Sequence, residues 1–152
     1  LKTISQVIRY VEPRAATVPL GKFAGWAMGA GLEIVDDRRS AEDRFDSAVE
    51  MLHDVFFDGL RNADRALAAL LPAFLKRTVV GLRNTSAAHA PEAAFPAERI
   101  ETNLRERERL FETLGCAVPV TEDEWAVAFE LLLRAAAIAA VEFRDAVRSA
   151  RP

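Results

Sequence analysis

The chain has 152 residues, 51% of them hydrophobic and 28% charged, with a formal net charge of −3. This is the make-up of one globular domain able to bury a core, and it gives no general electrostatic pull toward nucleic acid or an anionic membrane. The single cysteine, Cys116, excludes an internal disulfide, a cysteine-only zinc site and a Cys-x-x-Cys redox motif, and it suits a reducing, cytoplasmic setting.

Abundant alanine and sparse β-branched residues favour helix throughout. In "KTISQVIRYV", Ile4, Val7, Ile8 and Val11 recur at helical spacing, and Pro13 ends the segment. After a loop, Gly21, Gly25 and Gly29, with Ala24 beside them, form a stripe that lets another backbone approach closely. No strand precedes these glycines and no Gly-Lys-Ser/Thr follows, so a phosphate-binding loop is rejected. The longest uncharged run near the N-terminus, residues 23–32, is too short to span a bilayer, which takes ~20 residues. The chain opens on Leu1, as a domain cut from a longer protein would.

Ser40 with Asp43 reads as a capping box opening a helix that runs through Asp58 and stops at Gly59. Its apolar stripe is Phe45, Val49, Leu52 and Phe56, and Asp43, Asp46, Glu50, His53 and Asp54 make the polar face. Asn62 is placed to cap the next helix, which runs to about Arg83 and which Pro72 should kink or divide. Residues 85–96 carry two prolines and no helical stripe, and so read as loop. Pro96 then starts a helix closed by Gly115, in which the mixed charges of "RERERL" read as a solvated surface. Arg107 stands out there, because it falls on the stripe Ile100, Leu104, Phe111, Leu114. It either snorkels past the core edge or pairs with Glu130.

A second capping box, Thr121 with Glu124, opens a final helix with no breaker before Pro152, roughly 42 Å long at 1.5 Å per residue. Trp125, Phe129, Leu132, Ala136, Ala139, Phe143 and Ala146 alternate steps of four and three, a heptad seam. Val127, Leu131, Leu133, Ile138 and Val141 cover much of the remaining circumference, as expected of a helix central to a bundle or half covered by a partner chain. Glu130 and Arg134 form an i,i+4 pair, either on a solvent strip or half-buried where it reads a ligand or fixes a dimer. No strand alternation is visible. The fold class expected is a single all-α domain, an antiparallel bundle of about six helices with a long, largely apolar C-terminal helix.

Candidate chemistry is sparse. Glu50 and His53 form one Glu-x-x-His half-motif of the kind carboxylate-bridged metal bundles use twice. No second copy exists, so these residues are read as part of a solvated face, and neither a metal nor a cofactor is expected. Cys116 has no histidine near it in sequence and reads as a small apolar residue. The stretch "GLRNTSAAHA" joins Arg83 and Asn84 to His89, with Lys76 and Arg77 upstream and Lys76 sharing a face with Arg83 at i,i+7. This arginine–polar…histidine spacing resembles the motif of the HEPN superfamily. Those are small all-α bundles, many of which act as metal-independent ribonucleases in toxin–antitoxin, abortive-infection and CRISPR-associated systems. The resemblance implies a site formed across a dimer, with His89 in acid–base work, Arg83 stabilising phosphate charge and RNA as substrate.

The leading expectation is a non-enzymatic helical interaction or oligomerisation domain, regulatory or scaffolding, that binds a second copy or a partner protein and no membrane. Its interface residues would be Trp125, Phe129, Glu130, Leu132, Arg134 and Phe143. The alternative is a HEPN-like metal-independent ribonuclease of a bacterial defence or toxin–antitoxin system, with Arg83, Asn84 and His89 catalytic, or its inactive relative. A small-molecule site lined by Trp26, Phe56, Phe74 or Trp125 is a further one.

Overall fold

A computed structural model describes residues 2–11, 38–86 and 96–150. The glycine stripe at 21, 25 and 29, Trp26, and the loop bearing His89 lie outside the described residues. The described residues form an all-α bundle with a long C-terminal helix. Helix α1, Lys2–Val11, buries Ile4, Val7, Ile8 and Val11, the four residues its spacing singled out.

Ser40 caps α2, Ala41–Leu52, by accepting the Asp43 backbone N–H on its hydroxyl at 3.1 Å. The backbone does not stop at Gly59. A π-helical segment, His53–Gly59, passes directly into the short α3, Leu60–Ala63. Gly59 has φ −61° and ψ −51°, plain right-handed helix, so nothing there ends the element. The cap of the next helix is Asp64 rather than Asn62. Its carboxylate accepts the Ala66 and Leu67 N–H groups and starts α4, Arg65–Ala69. Pro72 does divide the next stretch of helix: α4 closes at Leu70, and a second π-helical segment, Phe74–Val79, begins just beyond the proline and runs into α5, Val80–Thr85.

Pro96 precedes α6, Ala97–Leu114, which ends at Gly115 with φ 91°, a left-handed conformation that costs a glycine little. The capping box of Thr121 and Glu124 is present in full and opens α7, Glu122–Ser149. The short connection makes α6 and α7 antiparallel neighbours. Helix α2 instead runs in the same direction as α7: Phe45 meets Trp125 at 5.3 Å between ring centroids, and further along the same chain direction Phe56 meets Phe143 at 6.2 Å. Glu122, in the first turn of α7, accepts the N–H of Ala41, the first residue of α2, at 2.6 Å, which pins the two helix starts together.

Helix α7 is the centre of the core. Trp125, Phe129, Leu132, Ala136, Ala139 and Phe143 of the heptad seam are all buried, and Ala128, Ala140 and Val147 widen the stripe. Phe45, Phe111 and Trp125 pack as a trio with centroids 5.3–5.9 Å apart. Arg107 lies over this trio, 5.7 Å from the Phe111 ring and 5.8 Å from Trp125, so it caps the aromatic cluster instead of pairing with Glu130. Gly81 of α5 lies under the Leu110 side chain of α6, where an added Cβ would fall 2.9 Å from the Leu110 methyls.

Candidate functional site

Arg83 sits on the last turn of α5 and donates from Nε to Glu50 Oε2 on α2 at 3.2 Å, both side chains being about 70% covered, at 28% and 32% exposure. Its Nε–H is thus engaged within the fold by the Glu50 carboxylate. Lys76 and Arg83 have different partners. The Lys76 ammonium donates to the Ala69 carbonyl at 2.8 Å. Lys76 itself lies within the π-helical segment, so α-helical i,i+7 spacing does not describe its relation to Arg83. Asn84 is exposed. The helix end is closed by Thr85 and Ser86, whose hydroxyls donate to the Gly81 and Arg83 carbonyls at 2.9 Å each. The structure brings Arg83 together with Glu50, and His89 lies outside the described residues.

The residues expected to form an interface on the final helix divide into two sets. Trp125, Phe129, Leu132 and Phe143 are buried in the chain's own core and are not available to a partner. Glu130 and Arg134 lie 3.9 Å apart at 73% and 77% exposure, a surface pair and not a half-buried one. Phe56 and Trp125, suggested as pocket walls, pack against other aromatic rings. The apolar surface that does remain open on α7 is Val127 and Ile138, 56% and 63% exposed.

The polar face read from α2 is rearranged most at His53. A π-helical turn bonds i to i+5 and so changes which residues share a face. His53 becomes buried, at 4% exposure, against the Phe57 ring with centroids 5.1 Å apart. Its Nδ1 lies 3.4 Å from Asp54 Oδ1 and 3.5 Å from Asp58 Oδ2, with all three ligand-type atoms within 4.8 Å of one another. One imidazole and two carboxylates are a donor set suited to a borderline divalent ion such as Zn²⁺ or Mn²⁺. Without an ion, the same geometry lets a single Nδ1–H donate weakly to either carboxylate. Sequence reasoning missed the role of Asp58 because the i,i+5 relation lies outside α-helical periodicity.

Two further titratable groups are perturbed. Burial pushes the Asp46 carboxyl above its ordinary range. Glu42, Asp43 and Glu50 raise it further and Arg107 opposes the shift. Burial likewise pushes the Cys116 thiol up, which disfavours the thiolate and makes this residue a poor nucleophile. No helix among the described residues is long and apolar enough to cross a membrane. Comparison with protein-family models, with curated proteins and with solved structures finds no match.

Proposed function

We propose that this chain is a non-enzymatic helical interaction domain that associates with a second copy of itself through the outer face of α7. The observation that carries the reading is the exposure of Val127 and Ile138 on the side of the helix opposite its buried seam. Leu131 and Val141, both half-buried, continue the same stripe, and Arg134 lies between them. The steps Val127, Leu131, Arg134, Ile138, Val141 alternate four and three, the spacing that keeps one helix face against another.

The stripe is complementary to itself. Val127 with Ile138, and Glu130 with Arg134, share a midpoint to within one residue. A two-fold axis beside Leu132 and Leu133 therefore lays Val127 on Ile138 of the second copy and, in the same antiparallel register, exchanges the Glu130–Arg134 pair between copies. With two well-exposed apolar residues per copy, the association is weak and concentration-dependent rather than obligate. A reducing cytoplasmic location suits the lone thiol but plays no part in this reading.

Sedimentation velocity over a concentration series tests it. Dimer should accumulate with concentration, and Val127→Glu with Ile138→Glu should abolish it while leaving thermal unfolding unchanged. Glu130→Arg alone and Arg134→Glu alone should each weaken association, and the double exchange should restore it. A chain that stays monomeric up to about 100 μM, where even weak specific contacts register, would defeat the proposal.

A further inference from the structure

At the corner made by Pro72 the chain builds a second surface, remote in character from the α7 stripe. The first π-helical segment and α3 supply Phe57 and Arg61, α4 supplies Arg65, Ala68 and Ala69, and beyond them come Leu71 and Lys76. Together these residues line an open depression of about 460 Å³, within the size range of small-molecule sites. The floor is apolar, formed by Phe57, Leu71 and the two alanines.

Every charged side chain in the lining is a cation. Arg61 lies with its guanidinium 5.6 Å from the centre of the Phe57 ring, which orients it while leaving its hydrogen-bond donors open. Lys76 is steadied by the Ala69 carbonyl at 2.8 Å and keeps two donors in reserve. Arg65 is exposed. The carboxylates nearest in sequence do not line it: Asp64 caps α4, and Asp54 and Asp58 face His53. The depression thus pairs an apolar floor with a charged lining made only of cations, the complement of an amphipathic anion.

We infer that this corner binds a single-chain amphiphile with one carboxylate or phosphate head, its alkyl body lying over Phe57 and Leu71 and its head meeting Arg61, Arg65 and Lys76. This binding does not depend on self-association through α7.

The test is a ¹⁵N-resolved NMR titration of the intact chain with decanoate below its micellar concentration, with decyl phosphate, decanol and acetate in parallel arms. Decanoate and decyl phosphate should give saturable shifts confined to the amides of residues 57–76. Decanol should bind about tenfold more weakly, the loss expected from one charge-assisted contact, and acetate should not saturate. Arg61→Gln with Arg65→Gln, both at exposed positions, should weaken decanoate by a similar factor. Equal binding of decanol and decanoate, shifts centred on α7, or no saturation would each overturn the inference. Capture of the chain by phosphatidylglycerol vesicles without binding of monomeric decanoate would also overturn it, replacing a small-molecule site with a surface contact.

Discussion

Arg83 donates its Nε–H to Glu50, 33 residues earlier in the chain, at 3.2 Å, and so joins α5 to α2. Both side chains keep about a third of their surface in water, so the pair is worth no more than about 1 kcal/mol. Arg83→Gln and Glu50→Gln should each lower the urea midpoint slightly, and the double variant should cost less than the sum of the two. If the chain is the interaction domain proposed above, it has no chemistry with which to cut RNA. The chain should leave RNA intact in EDTA. Cleavage that survives EDTA and disappears in His89→Ala would instead support the HEPN-like site.

Arg107 lies against two aromatic faces at the rim of the core. Arg107→Ala removes both the cation and the stem that covers the rings, and should cost about 1–2 kcal/mol by tryptophan-monitored unfolding. Glu130→Gln should leave this contribution unchanged, since Glu130 faces Arg134. A loss of equal size in Glu130→Gln would place the two residues in one network after all.

Asp46 should become more comfortable when neutral. Its folded-state carboxyl titrates above the ordinary value of 3.8, first because of burial and then because of Glu42. The native state therefore holds its proton to higher pH than the unfolded chain does. This group's contribution to stability falls as pH rises from the unfolded value through the raised folded one. Asp46→Asn should stabilise the chain at neutral pH by less than about 1 kcal/mol, water screening the partly exposed group, and should remove this group's loss of stability with rising pH. A lower melting temperature for Asp46→Asn at pH 7 would contradict this account.

The start of α7 should have the opposite pH response. The Val120 and Thr121 N–H groups donate to Glu124 and hold its carboxyl below the ordinary value of 4.5. Stability from this contact is complete above the unfolded value and is lost as pH falls through the depressed folded one. Amide exchange at Val120 and Thr121 should accelerate in that acid window, and Glu124→Gln should remove the pH dependence. Thr121→Ala, which deletes the other half of the box, should cost about 1 kcal/mol at neutral pH.

Helix positions were legible wherever a local rule acts alone. Ser40, Thr121, Pro72 and Gly115 do what their chemistry dictates within four residues of themselves, and the buried seam of α7 follows from spacing. Gly59 misled because a glycine ends a helix only when the backbone turns left-handed, and here the π-helical segment carries straight through it. Asp64 replaced Asn62 as a cap for the same reason: the preceding helix had not yet ended. The burial of His53 and its approach to Asp58 depend on an i,i+5 turn that α-helical periodicity cannot register. The link between Arg83 and Glu50, like the cationic corner around Phe57, is tertiary and leaves no spacing to read.

The bond from Ala41 to Glu122 spans 81 residues. On a ribosome, the opening turn of α2 emerges long before the carboxylate that completes it, and Trp125, one of the two aromatic partners of Phe45, arrives only a few residues after Glu122. Early segments must therefore wait, with oily side chains uncovered, until the last quarter of the chain is released. Shortening the chain from its C-terminus should then yield an insoluble remnant rather than a smaller folded unit.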